Sequence, residues 1–152
     1  MADTAALEPL TPDEEAFLRA LGKVLVLLPR VVDADMVTDQ AISANEYMTL
    51  VHLSEAPHSQ MRMSDLAKVC GLSFSGMTRV VQRLENQSLV VRVKSPDDGR
   101  AWIAVLTTAG WTRLRQAWPA NLASVRRHVF ARLEGCDVAA AARVLERIAL
   151  LP

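Results

Sequence analysis

Ser73, Ser75, Thr78, Arg79, Gln82 and Arg83 crowd one short stretch of this 152-residue chain, interleaved with Met77, Val80, Val81 and Leu84 at i, i+3, i+4 and i+7. The apolar set forms one stripe of a helix, so the spacing predicts a helix from Phe74 to about Ser88 that buries those four residues. Its other side carries hydroxyls, an amide and two guanidiniums. Small hydroxyls approach phosphates or base edges closely, whereas Arg and Gln reach guanine, adenine or the nucleic-acid backbone. Directly downstream, Arg92 and Lys94 alternate with Val91 and Val93, Ser95-Pro96-Asp97-Asp98-Gly99 turns the chain, and Ala101 to Leu106 returns. That period of two predicts a β-hairpin, and an Arg at its narrow tip, Arg100, suits the negative potential of a minor groove.

The neighbouring segments must hold these groups in place. Ser64 is placed to cap a short helix from Asp65 to Cys70, which Gly71 ends in a left-handed turn, and Ser73 caps again two residues later. Two short helices joined by a tight turn and followed by a basic hairpin make a winged helix-turn-helix, whose second helix offers its N-terminal residues to the major groove. A capping box, Ser43-x-x-Glu46, opens a preceding helix with Tyr47, Leu50 and Val51, closed by Pro57. Further upstream, Thr11-Pro12-Asp13-Glu14 opens an amphipathic helix with Phe17, Leu18, Leu21, Val24, Leu25 and Leu28, which Pro29 should kink or interrupt. After the hairpin, Thr107 or Thr108 starts a long helical stretch with Leu114, Trp118, Leu122, Val125 and Val129, interrupted at Pro119 and ended by Gly135. Asp137 then caps a last, alanine-rich helix.

The expected fold class is mainly α (α+β): one domain over 1–152, with a winged lobe at 43–107 and helical regions at 11–42 and 108–152. Those terminal helices carry more apolar surface than so small a lobe can cover, which predicts a two-fold homodimer.

Net charge is zero, but it is unevenly spread: −7 over residues 1–61, +3 over 62–100 and +4 over 101–152. The first fifteen residues hold five acids and no base, the reverse of a secretory leader, and the apolar run Val24 to Leu28 is far too short to span a bilayer. A cytoplasmic protein without a membrane partner is expected. Cys70 and Cys136 have no CxxC spacing; His52, His58 and His128 lie far apart, and neither a phosphate loop nor a nucleophile motif is present. These patterns argue against an enzyme, a bound cofactor and a metal site.

The runs Met63-Ser64-Asp65-Leu66-Ala67, Gly71-Leu72-Ser73, Thr78 to Glu85, Leu89-Val90, Asp98-Gly99-Arg100 and Leu106-Thr107-Thr108-Ala109-Gly110 together resemble the core signature of MarR-type (multiple antibiotic resistance) regulators. The resemblance covers residues 43–110, and the flanking helices agree in length and order. It implies a homodimer with interlocked first and last helices, two lobes reading a palindrome in double-stranded DNA, and often a small aromatic or phenolic effector. It also implies that Asp98 braces the wing Arg and that Arg100 reads the minor groove. Together with Ser73, Ser75, Thr78, Arg79, Gln82, Arg83 and Lys94, these are the expected DNA-binding residues. Tyr47, His52 and Trp118, at the apolar junction between their two helices, are the expected effector site. Phe74 and Gln82 depart from the family pattern, where many members carry a basic or polar residue and an acid, and they bear on the target sequence. Two other readings are a redox-responsive regulator of this fold, although neither cysteine lies in the N-terminal helix where some members keep a peroxide sensor, and a protein-interaction module without DNA contacts.

Overall fold

A computed structural model describes residues 8–96, 98–99 and 101–149. Helix α1 (Pro12–Gln40) begins at a complete capping box: Thr11 Oγ1 accepts from the Glu14 N–H while the Glu14 carboxylate accepts from the Thr11 N–H at 2.7 Å. Helix α2 (Ala44–Glu55) repeats the device with Ser43 and Glu46. There follow β1 (Gln60–Arg62), α3 (Met63–Val69), α4 (Phe74–Asn86), β2 (Val90–Lys94), β3 (Trp102–Leu106), α5 (Thr108–His128) and α6 (Val138–Ala149). The three strands form one antiparallel sheet in the order β1-β3-β2, with Arg62 opposite Ile103 and Lys94 opposite Trp102.

Several expectations need correction. Pro29 and Pro119 lie inside α1 and α5, and neither interrupts its helix. A proline inside a helix costs about 3 kcal/mol through the lost hydrogen bond and the ring's clash with the preceding turn, and packing between α1 and α5 offsets it. Ser64 does not cap α3: the chain enters that helix straight from β1, a strand absent from the sequence reading, so Arg62 occupies the cap position without a side-chain bond. Helix α4 stops at Asn86, and Ser88 turns left-handed at φ +59 so that the Leu89 N–H reaches the Leu84 carbonyl at 2.9 Å. Helix α5 stops at His128, well before Gly135; a short 3-10 turn, Phe130–Arg132, and the left-handed Gly135 carry the chain to α6. Trp118 faces outward at 54% exposure, because the buried side of α5 runs through Leu114, Ala117 and Ser124.

The core lies between α2, α3, α4 and the sheet, where Tyr47, Leu50, Leu53, Leu66, Val90 and Ala104 are buried with the inner stripe of α4. The expected stripe of Met77, Val80, Val81 and Leu84 is at most 4% exposed. Gly71 ends the α3 region in the left-handed region, at φ +64, with the Leu72 N–H on the Ala67 carbonyl and the Gly71 N–H on the Lys68 carbonyl. This turn sets the angle between α3 and α4.

Polar contacts fix the C-terminal half of α1 to the rest. Asp35 Oδ2 accepts from Ser124 Oγ at 2.7 Å and meets His128 Nε2 at 3.0 Å, while Arg113 binds the Gln40 carbonyl. The Ser124 hydroxyl is the main reason the Asp35 carboxyl is held below its ordinary pKa. By contrast, α6 has no buried residue and, among the described residues, packs extensively on no other element.

Candidate nucleic-acid interface

The outer face of α4 is built on a rigid base. Ser73 Oγ accepts from the Gly76 N–H at 3.1 Å and lies 3.2 Å from Ser75 Oγ, so two hydroxyls stand together at the helix start. Thr78 donates to the Phe74 carbonyl at 2.9 Å, which fixes its rotamer and leaves the oxygen as an acceptor. Arg79 is exposed and makes no hydrogen bond or ion pair with any other described residue.

The other long side chains of this face are engaged. Arg83 Nε binds Glu46 Oε1 at 2.7 Å and ties α4 to α2, with the rest of its guanidinium half-exposed. Burial works against a charge on Glu46, but the Ser43 N–H, the Arg83 guanidinium and the Ser43 hydroxyl outweigh it and hold the carboxyl below its ordinary pKa. Gln82 Oε1 accepts from Arg92 at 3.0 Å while its Nε2 donates to Asn86 Oδ1 at 3.1 Å. Arg92, on β2, also forms an ion pair with Glu85 at 2.6 Å, and its N–H donates to the same carboxylate. Sequence reasoning missed this cluster, which pins the hairpin to α4. Its one sequence signal was an acid near the end of the helix and a base near the start of the strand.

In the hairpin, Lys94 Nζ donates to the Gly99 carbonyl at 3.1 Å and stands 4.4 Å from the centre of the Trp102 ring, closing the loop over its own strand pair. Asp98 is exposed, and its backbone carbonyl accepts from the Ala101 N–H. Arg100 lies outside the described residues. The structure therefore brings Ser73, Ser75, Thr78, Arg79, Gln82 and Arg83 onto one helix, with Lys94 and Asp98 on the adjoining hairpin.

The three effector candidates are placed differently. Tyr47 is 2% exposed, and its hydroxyl is buried beside the Asn121 side chain of α5 without a well-aligned hydrogen bond. Burial raises its pKa, opposed by the Asn121 side chain of α5. His52 is half-buried on α2 and Trp118 is exposed on α5; no hydrogen bond or ring contact links the three.

A model of the MarR family matches residues 42–101, which run from α2 through β2 to the hairpin turn. Over nearly the whole chain the fold matches Sco3205, a MarR family transcriptional regulator from Streptomyces coelicolor crystallised in complex with DNA. The identity is 30%, the TM-score is 0.85, and 96% of this chain and 93% of that one are covered. AbsC, another MarR family regulator from Streptomyces coelicolor, is 35% identical at a TM-score of 0.81, with 94% and 96% covered. The chain belongs to the MarR family. Apo MarR from E. coli, at 21% identity, shares the fold at a TM-score of 0.71 over 96% of this chain and all of that one. A search of curated proteins gives no match. As a MarR-family member the chain is a winged-helix transcriptional regulator, and the geometry above describes its winged lobe.

Proposed function

We propose that this regulator is a homodimeric repressor that reads a palindromic DNA duplex, with α4 in the major groove and the hairpin in the flanking minor groove. A small aromatic or phenolic effector releases it. The observation that carries the reading is Arg79, a solvent-facing guanidinium without an internal partner, on a helix whose opposite face is locked in the core. The DNA-bound state of Sco3205 supports it. The remaining candidates divide the work: Ser73, Ser75, Thr78 and half-exposed Arg83 offer hydrogen bonds to phosphates and base edges, while Gln82 and Lys94 hold the helix and hairpin in register. Asp98 braces Arg100 at the minor groove.

In this reading residues 43–107 are the reading lobe, and 11–42 and 108–152 form the dimer. Support comes from α6, which is amphipathic yet uncovered, and from exposed Phe17, Leu18, Val24 and Leu25 on α1. The buried Tyr47 hydroxyl between α2 and α5, poorly aligned with the neighbouring Asn121 side chain, supports an effector site there, because a phenol or carboxylate oxygen would satisfy it better. The protein acts in the cytoplasm. A redox-responsive mechanism has less support, since burial raises the pKa of the Cys70 thiol, which works against its reactive thiolate form.

The test compares two arginines. Arg79→Ala should change base preference inside the half-site, by roughly 1–3 kcal/mol if a bidentate contact is lost. Arg100→Ala should weaken all good operators by a similar factor. Affinity should fall steeply with salt as counterions are released. Unchanged affinity in both variants would replace this reading with that of a protein-interaction module.

A further inference from the structure

Phe74 is the first residue of α4 and is 59% exposed, an apolar ring at the end of the helix that the proposed function places against base edges. Beside it on β3, Trp102 is 42% exposed. The two rings line one hollow of about 250 Å³, with Met63 and Ala101 as further apolar lining and Arg62, Ser64 and Asp98 as its polar groups. Single exposed apolar residues are ordinary on protein surfaces. Two exposed aromatic side chains sharing one hollow, in a chain with only seven aromatic residues, are a more specific arrangement.

The hollow lies between the start of the reading helix and the hairpin. With α4 in the major groove and the hairpin in the adjacent minor groove, one DNA strand must cross between them, over this hollow. Of the groups that bases present in the major groove, the thymine C5-methyl is apolar and needs no hydrogen-bond partner. It also projects on the side of the base nearest its own backbone. A Phe at the hairpin side of α4 therefore meets the methyl of the crossing strand.

Resting on the DNA-binding reading above, we infer that Phe74, backed by the Trp102 hollow, is a specificity-determining residue that receives a thymine methyl group at a fixed position of each half-site. Its hydrophobic contact discriminates thymine from cytosine at that position, while Arg79 supplies hydrogen bonds deeper in the half-site.

The test uses the full chain and a duplex carrying the sequence that the protein itself selects from randomised DNA. Each thymine is replaced in turn by deoxyuridine, which removes only the methyl group. Wild-type protein should lose about four-fold in affinity per half-site at one symmetric position, the worth of one buried methyl-sized group, and little elsewhere. Phe74→Ala should bind the thymine duplex more weakly by at least that factor and no longer distinguish thymine from uracil there. Phe74→Leu, which keeps an apolar side chain, should retain part of the distinction. All three proteins should melt at the same temperature, because Phe74 is outside the core. Tight binding with equal affinity for thymine and uracil at every position overturns the inference and leaves the DNA-binding reading intact. Methyl sensitivity that survives in Phe74→Ala overturns it as well. Failure of wild-type protein to bind any duplex overturns both.

Discussion

Helices α4 and α6 are strongly amphipathic and differ in length by one residue, yet their apolar faces have different fates. The stripe of α4 is sealed in the lobe, whereas Val144, Leu145 and Ile148 of α6 remain open to solvent. Sequence periodicity is blind to this difference, because it reports that a face is apolar and not what covers it. A lobe that closes over its own helix is complete as a monomer. In the homodimer proposed above, the open apolar face of α6 is covered by a second copy, the simplest partner for a regulator of this size.

The comparison can be broken by applying one substitution to both faces. Leu84→Ala should destabilise the chain by about 2–5 kcal/mol, as large-to-small changes in a closed core do. Leu145→Ala should leave the unfolding of the lobe nearly unchanged and raise the dimer dissociation constant at least about tenfold, since each Leu buried at an interface is worth about 1.5–3 kcal/mol. Denaturant unfolding and sedimentation, each run over a range of protein concentrations, separate the two effects. A Leu145→Ala dimer as tight as wild type would show that α6 does not contribute its apolar face to association.

A second substitution probes where the two regions join. Gly110 lies in the first turn of α5, where Ala would ordinarily favour the helix by up to about 1 kcal/mol. Here a Cβ would overlap the Leu89 carbonyl oxygen and press on Leu106 Cδ1. The same carbonyl is held by Thr107 Oγ1 at 3.0 Å, so the backbone has little room to retreat. Gly110→Ala should therefore cost about 1–3 kcal/mol, the range of overpacked sites. A rise in melting temperature would mean that α5 slides on the sheet more freely than this contact allows.

The features that the sequence foretold are mostly local. Both capping boxes, the Gly71 turn and the Met77-Val80-Val81-Leu84 stripe depend on residues within one or two helical turns, and each forms as expected. The two prolines misled because their local cost is outweighed by packing between α1 and α5, which no local rule contains. Strand β1 is three residues long, too short for a period to register, and exists because β3 offers it a free edge. The site divides in the same way. That Ser73 to Arg83 share a helix follows from spacing. That Arg83 is bound to Glu46, 37 residues away, and Gln82 to Arg92 required the fold.

The Arg83 and Glu46 pair gives a smaller, pH-dependent test of how the reading helix is seated. The folded-state pKa of Glu46 is depressed, so its contribution is fully present above the ordinary value of 4.5 and is lost as pH falls through the lower folded value. Arg83 is half-exposed, which limits the pair to about 1 kcal/mol. Glu46→Gln should be less stable than wild type at neutral pH, and the gap should narrow below about pH 4. Asp35 is depressed too and is unaffected by the change, so some acid sensitivity should persist. A gap that stays constant across the acid range would assign Glu46 a purely steric role.

The smallest expected effect is at the C-terminal end of α4, where Ser88 adopts a left-handed conformation without being glycine. For a residue with a Cβ this costs roughly 1–2 kcal/mol, part of which the unfolded chain regains when glycine is substituted, because glycine has more freedom to lose. The Ser88 side chain is exposed, and the bond it supplies to Thr107 comes from its backbone carbonyl at 2.8 Å, which glycine keeps. Ser88→Gly should therefore stabilise the lobe, by no more than about 1 kcal/mol. It should leave dimer dissociation unchanged, because the gain lies wholly within the closed lobe. Thermal unfolding of the two proteins side by side measures the first effect and sedimentation the second. A change in the dissociation constant would mean that the α4 to β2 junction communicates with the terminal helices. The proposed division between a self-sufficient lobe and an association-dependent helical region would then fail at this residue.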